Sequence, residues 1–287
     1  MAKTVLSMSG KMASRKTMLR EIDSNSCREG GLTDEEISLD KSRINFVFQR
    51  KVRNVVGRRY LGVAWLILNP IVTALVYLFV FTVIRSSPNA AILMTGISMF
   101  TIFSNSFKSG MNSINDFSGG LKAERVRTRV LTYSILYYRL FDTVLQASGI
   151  SLILFFGLGI GAPGVATFII LSIVMSVMAE GVALNISTLT KRVPDLTNIV
   201  NYSLLLMFFA SPALYSLNTT TGIHYTVNEY NPFTFFVEAA RHVSGLDSAF
   251  LELWNPLTWA IISLMLVLSI RGYLTLDSQR WRVSSWS

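Results

Sequence analysis

Lys108, Asp142 and Glu180 are ionisable side chains set within or beside long apolar stretches of the chain. A charge at membrane depth is costly, so residues of this kind mark a conduit, a relay or a buried pair. Arg139 and Asp142 are three apart, the spacing of an ordinary ion pair on one turn of helix near its start. Lys108 and Glu180 sit in different stretches. They either pair across helices, or both face a polar conduit, or each snorkels to the nearer surface. A second group is LKAERVRTRVL, residues 121–131, where Lys122, Arg125, Arg127 and Arg129 surround Glu124. No aromatic platform interleaves these cations, so the segment is not expected to bind nucleic acid. Anionic headgroups attract such cations. The alternative is a protein groove that seats Leu121, Val126, Val130 and Leu131 while Glu124 and the cations set register.

Other chemistries lack their residues. There is no G-x-x-x-x-G-K-[ST], and SGKMAS at 9–14 lacks the first glycine spacing, so the chain is not expected to cradle a nucleotide triphosphate. Neither G-x-S-x-G nor H-E-x-x-H occurs. The one cysteine, Cys27, and the two histidines, His224 and His242, give no disulfide framework and no ordinary metal-ligand set. No carboxylate pair stands out as a catalytic dyad. The expectation is therefore a non-enzymatic chain that binds no cofactor or metal of its own.

The elements that must position these residues are membrane helices. The 287 residues are 51% hydrophobic and only 15% charged, against about 25% charged in soluble domains. A membrane helix needs about 20 mainly apolar residues. Six candidate spans meet that, at roughly 61–84, 90–115, 134–160, 164–189, 196–215 and 254–274. On this division Lys108 lies ~27 Å and Glu180 ~24 Å from the outer ends of spans two and four, at ~1.5 Å per residue. The net charge of +9 would point to nucleic acid in a soluble protein. Here the cations cluster between apolar runs: in the N-terminus, the 116–133 loop, Lys191 and Arg192, and the tail with Arg271, Arg280 and Arg282. Positive-inside reasoning then places both termini in the cytoplasm.

The remaining segments divide the chain further. Residues 1–40 are polar and rich in Ser, Gly and charge, and read as a disordered cytoplasmic tail without the apolar core of a signal peptide. Residues 41–57 carry Ile44, Val47, Phe48, Val52 and Val55 near one face with Arg43, Arg50, Lys51 and Arg53 on the other. That pattern fits an interfacial amphipathic helix, or one packed on protein. Residues 58–287 form the six-span domain. Within it, 216–253 are too polar to span and too apolar for a free loop, which suits a re-entrant helical hairpin on the outer side. Aromatic residues recur along spans one, two and five, among them Tyr77, Phe100, Phe107 and Tyr202. Their faces suit sugar rings as well as plain packing, and with Lys108 and Glu180 they are the candidates for a translocation path.

An ordered set of short motifs runs through the chain. RRYLGVAWLILNP (58–70) opens the first span with Leu61, Gly62, Trp65 and Pro70. Pro194-Asp195 closes the fourth, SPALY (211–215) sits late in the fifth, and Asn231-Pro232 is followed by Glu238 and Arg241. Over roughly 43–275 this resembles the permease subunits of polysaccharide-exporting ABC transporters. Pro194-Asp195 and the order Val237, Glu238, Arg241 look most like capsular polysaccharide export permeases, although Val193 stands where an aromatic is common.

The resemblance implies an all-α membrane permease, homodimeric, with two separate nucleotide-binding ATPase subunits that hold ATP and Mg. A lipid-linked polysaccharide would cross the bacterial cytoplasmic membrane between the two copies. Leu121, Lys122, Glu124, Arg125, Val126, Arg127 and Arg129 would couple to the ATPase, and Asn231, Pro232, Glu238 and Arg241 would belong to an outer gate. Membrane lipids, periplasmic and outer-membrane export proteins are further implied partners; nucleic acid is not. O-antigen, teichoic acid and drug or antibiotic ABC exporters are the nearest alternatives. A membrane transferase acting on lipid-linked sugar lacks catalytic residues, and a secondary transporter would need internal repeats that are not seen.

Overall fold

A computed structural model describes residues 34–57, 62, 64–84, 89–116 and 128–284. Two units divide at Arg43/Ile44. Of the first, only the start of a helix is described, where Ser42 Oγ donates to the Ser38 carbonyl at 3.1 Å and Arg43 lies 3.8 Å from Asp40. That helix, α1 (Asp34–Val56), covers the expected amphipathic segment and begins ahead of it.

The second unit is helical in its described regular elements. In order they are α2 (Ala64–Ile84), α3 (Ala90–Asp116), α4 (Thr128–Leu152), α5 (Ala162–Leu184), α6 (Ser187–Arg192), α7 (Asp195–Ala210), α8 (Ile223–Glu229), α9 (Pro232–Val243) and α10 (Pro256–Ser284). Among the described residues four stretches are long and apolar enough to cross a membrane: Ala90–Ile114, Val130–Gly157, Ala162–Leu184 and Pro256–Thr275. Ala64–Val80 and Asp195–Ala210 are shorter apolar helices at the places of expected spans one and five. The chain is thus a multi-pass membrane protein by length and composition.

Local chemistry sets the helix ends. The Asn89 side chain accepts from the amides of Ala91 and Ile92 at the start of α3. Asn231 accepts from Phe233 ahead of Pro232, whose missing N–H costs nothing in the first turn of α9. Helix α7 stops at Ala210, five residues before its expected end, because Pro212 forces Ser211 into extended backbone. Helix α4 ends in one π-helical turn, Ile153–Gly157.

Helix α5 is the hub, packed against α3, α4 and α10. Residues 91–100 of α3 are buried without a break, and the core joins Met94, Ile97, Phe100, Phe168 and Phe236. Helix α10 lies at the edge, with Leu264, Val267, Ile270 and Leu274 exposed. Close approach needs glycine at the α5–α10 crossing. A Cβ on Gly272 would run into the Gly181 carbonyl, and one on Gly181 into Ser269. The Asn185 side chain joins the same crossing by donating to the Leu268 carbonyl at 2.8 Å.

The start of α4 corrects one expectation. Residues 128–133 are helix rather than loop. Val130 and Leu131 are buried at 0% and 1% exposure and pack with Val47 of α1. They are therefore not available to a partner's groove. The reason is that the apolar face of α1 finds protein here: Phe48 meets Phe141 edge-on at 5.7 Å, and Ser134 Oγ donates to the Ile44 carbonyl at 3.4 Å.

Candidate functional site

Polar side chains on two neighbouring helices form matching stripes. Helix α4 carries Arg139, Asp142, Thr143 and Gln146; α5 carries Ser172, Ser176 and Glu180. All are buried. Arg139 donates to Glu180 at 3.2 Å and Thr143 to Ser176 at 2.9 Å, four residues on in α4 and four back in α5, the register of antiparallel helices. Arg139 also holds Asp142 at 2.9 Å. Ser109 of α3 and Tyr273 of α10 donate to Glu180 at 3.1 and 3.2 Å. Four helices thus converge on one carboxylate. A buried charge is tolerated on such terms, when paired and further hydrogen-bonded.

This geometry corrects the pairing of Lys108 with Glu180. The two are at similar depth, as expected, but α3 presents Ser109 and Gly110 to Glu180. Ser109 bonds the carboxylate, and a Cβ on Gly110 would collide with the Glu180 carbonyl. One residue along a helix is about 100° of rotation, enough to turn Lys108 away. Arg139, read as half of a local pair, is the partner that the cross-chain reading missed. The repeat of polar residues at i, i+4 and i+8 in α5 and at i, i+3/i+4 and i+7 in α4 was the available signal.

Lys108 lies instead in a cavity of about 410 Å³ beside the ionic cluster. Its walls are Lys51 from α1, Trp65, Leu66 and Asn69 from α2, Asn105, Lys108, Ser109 and Asn112 from α3, and Tyr138, Arg139, Asp142 and Gln146 from α4. Lys51 Nζ stands 4.7 Å over the Tyr138 ring. Trp65 and Asn69 are exposed, so the cavity has an open side. Two fully buried polar atoms of its lining residues, Arg139 Nε and Gln146 Oε1, have no hydrogen-bond partner.

A second ionic lock holds the helices between α7 and α10. Arg241 and Glu238 are each 0% exposed and 2.8 Å apart. Arg241 donates to the carbonyls of Ile92 and Tyr215 at 2.9 and 3.0 Å, and Glu238 accepts from the Ala249 amide at 2.8 Å. Residues 233–241 of α9 are buried throughout. At the rim of this segment Asp247 accepts from Ser216 at 2.5 Å and Asn218 at 2.6 Å, and these two bonds hold its carboxyl below the usual range. Desolvation and the Glu252 acceptor push the Tyr225 phenol up to about 12.

The aromatic candidates separate. Phe100 is a core residue ringed by Phe103, Phe208 and Phe233. Tyr77 packs on Phe208, and Phe107 on Phe103. Tyr202 is 72% exposed on α7. Leu121, Lys122, Glu124, Arg125, Val126 and Arg127 lie outside the described residues, and Arg129 falls in the first turn of α4. Among the described residues no group of three or more His, Cys, Asp or Glu is placed to hold a metal ion.

Comparison with known proteins agrees with a transport membrane subunit. The family model for "ABC-2 type transporter" matches residues 42–244. Among curated proteins, the O-antigen export system permease protein RfbA of Myxococcus xanthus is 29% identical over 177 residues, 60% of this chain and 67% of that protein.

Proposed function

The chain belongs to the ABC-2 type transporter family, and on that premise we propose that it is the membrane subunit of an ATP-driven exporter of lipid-linked polysaccharide. The observation that carries the cargo is its likeness to an O-antigen export permease, supported by the ordered motifs from Leu61 to Arg241. Two copies would form the path, and two separate ATPase subunits would drive it from the cytoplasmic side. The basic segment 121–129 is the coupling contact in this reading. The locked segment from Ser216 to Leu253, held by Glu238 and Arg241, lines the outer mouth as a re-entrant hairpin. Tyr202 is the aromatic candidate left open to the path or to the second copy. The membrane is the bacterial cytoplasmic membrane, with both termini inside.

Capsular polysaccharide is the first reading of the cargo, from Pro194-Asp195 and the order Val237, Glu238, Arg241. O-antigen is the second, favoured by the relative's own cargo. Removing the gene and analysing the polymer trapped in the cell by mass spectrometry separates them. A trapped capsule-type repeat upholds the first and an O-antigen repeat the second. Normal surface glycan with nothing trapped would overturn both.

A further inference from the structure

Four aromatic rings close into a circuit where α10 begins. They are Phe235 of α9, Phe250 and Trp254 of the connection, and Trp259 of α10. Their centroids stand 5.5 Å apart from Phe235 to Phe250, 5.5 Å from Phe250 to Trp254, 4.9 Å from Trp254 to Trp259 and 5.4 Å from Trp259 back to Phe235. Phe235 is buried, but Trp254 is 58% and Trp259 40% exposed, and Leu251 and Leu257 are exposed beside them in the chain. We propose that this cluster is an interaction surface for bilayer lipid at the boundary between headgroups and acyl chains. It would seat the segment between α7 and α10 in the leaflet at that end of the span.

The depth follows from α10 itself. Pro256–Thr275 has the length and composition of a membrane span, 20 residues. At ~1.5 Å per residue that is ~30 Å, the thickness of the hydrocarbon core, so Pro256 marks its edge. Trp254 lies just ahead of that edge and Trp259 one turn past it. Both indoles are thus within ~5 Å of the boundary, the level at which an apolar ring with a polar N–H is most favourable. No Asp, Glu, Lys or Arg occurs from Leu253 to Ile270. The adjoining carboxylate, Glu252, accepts from the Tyr225 hydroxyl at 2.7 Å.

The backbone holds the rings outward. Leu253 is 1% exposed and packs with Leu217 and Ala249, so its neighbour Trp254 points the other way. The Asn255 side chain accepts from the Thr258 amide at 2.8 Å and donates to Glu229 at 3.0 Å, fixing the turn between the two tryptophans. Below Trp259, at helical spacing on the same side of α10, come Leu266, Val267, Ile270 and Leu274, all exposed. The aromatic surface therefore continues an apolar face that runs down the span. Lipid satisfies both, with acyl chains along the aliphatic stripe and headgroups against the indoles. Through Phe235 the same cluster reaches α9, which carries Glu238 and Arg241, so the depth of that lock is set by the lipid boundary.

This inference needs neither a polysaccharide cargo nor an ATPase. The chain has five tryptophans, and Trp65→Phe, Trp281→Phe, Trp286→Phe leaves the two of the cluster as the only indoles. The full-length variant is reconstituted in phosphatidylcholine vesicles whose acyl chains carry bromine either near the glycerol end or near the methyl end. Bromine near the glycerol end should quench the indole emission roughly twofold more than bromine near the methyl end, as expected at the interface. Iodide in the water should quench less than either. If the triple variant fails to reconstitute, the loss of glycerol-end quenching from wild type to Trp254→Phe, Trp259→Phe gives the same reading. Stronger quenching by iodide than by lipid would make the surface a water-facing one and overturn the proposal. Emission untouched by all three quenchers would mean that a second copy or another protein covers the rings. Stronger quenching from the methyl end would place them in the bilayer interior. Either of these results also overturns it, and all of them leave the transport reading in place.

Discussion

Glu180 is the residue on which most of the buried polar structure turns, since Arg139, Ser109 and Tyr273 all point to it. Breaking a buried pair by removing one partner costs about 3–5 kcal/mol, because the other charge stays behind. Glu180→Leu should therefore lower the melting temperature of the purified protein sharply. The triple variant Arg139→Met, Asp142→Asn, Glu180→Gln should lose less than Glu180→Leu alone, since it leaves no orphan charge. Exchanging Arg139 and Glu180 should recover part of the loss of either single reversal. Exchanging Lys108 and Glu180 should not, and recovery in that exchange would mean that Lys108 is the partner after all. Asp247 gives a prediction on pH. Its carboxyl sits below the usual range because Ser216 and Asn218 donate to it. A depressed folded value adds stability that is complete above the unfolded value of about 4 and is lost as pH falls through the folded value. Thermal melts from pH 6 down to 3 should show wild type losing more than Asp247→Asn, and parallel curves would remove Asp247 from the stability of this segment. That Lys108 and Glu180 lie level on their helices was readable from helix rise. Their azimuth was not, because a one-residue error in phase exchanges Lys108 for Ser109.

At the scale of elements, hydropathy located the apolar helices among the described residues, because a mainly apolar run of this length has few other folds open to it. Ends were read less well. The start of α4 at Thr128 is helical because Val130 and Leu131 cover Val47, a contact between segments more than 80 positions apart in the chain. The end of α7 at Ala210 follows from Pro212, a signal present in SPALY and outweighed by the apolar run around it. Burial of α9 was legible only in part: its text is amphipathic, yet Phe233–Arg241 is covered on all sides. The tightest packing between elements is the glycine crossing of α5 and α10. Gly181→Leu or Gly272→Leu should drive those backbones apart and cost more than the 1–3 kcal/mol of ordinary overpacking. Gly157→Leu, whose added Cβ would meet only Ile153 at an ordinary 3.6 Å, is the matched control. Gel filtration of the three variants checks this. Monodisperse Gly181→Leu and Gly272→Leu protein with wild-type melting would refute the close crossing.

For the whole molecule, the loop charges predict an orientation. Impermeant thiol reagent should reach a cysteine at Asn218 in intact cells and one at Ser278 only after permeabilisation. The opposite pattern would invert the topology. Export as a polysaccharide permease makes a further demand, that the chain couple to an ATPase through 121–129. Glu124→Arg with Val126→Asp should abolish export and ATPase docking with membrane insertion intact, while neutralising Arg127 and Arg129 should do less. The most direct test of the central claim is surface and intracellular glycan measured together after the gene is deleted and then supplied again. The account predicts loss of one surface polysaccharide, intracellular build-up of its lipid-linked polymer, and recovery with wild type but not with the Glu124→Arg, Val126→Asp variant. Unchanged surface glycan on deletion, with loss of resistance to a small toxic compound, would contradict it and make the chain a drug exporter's subunit.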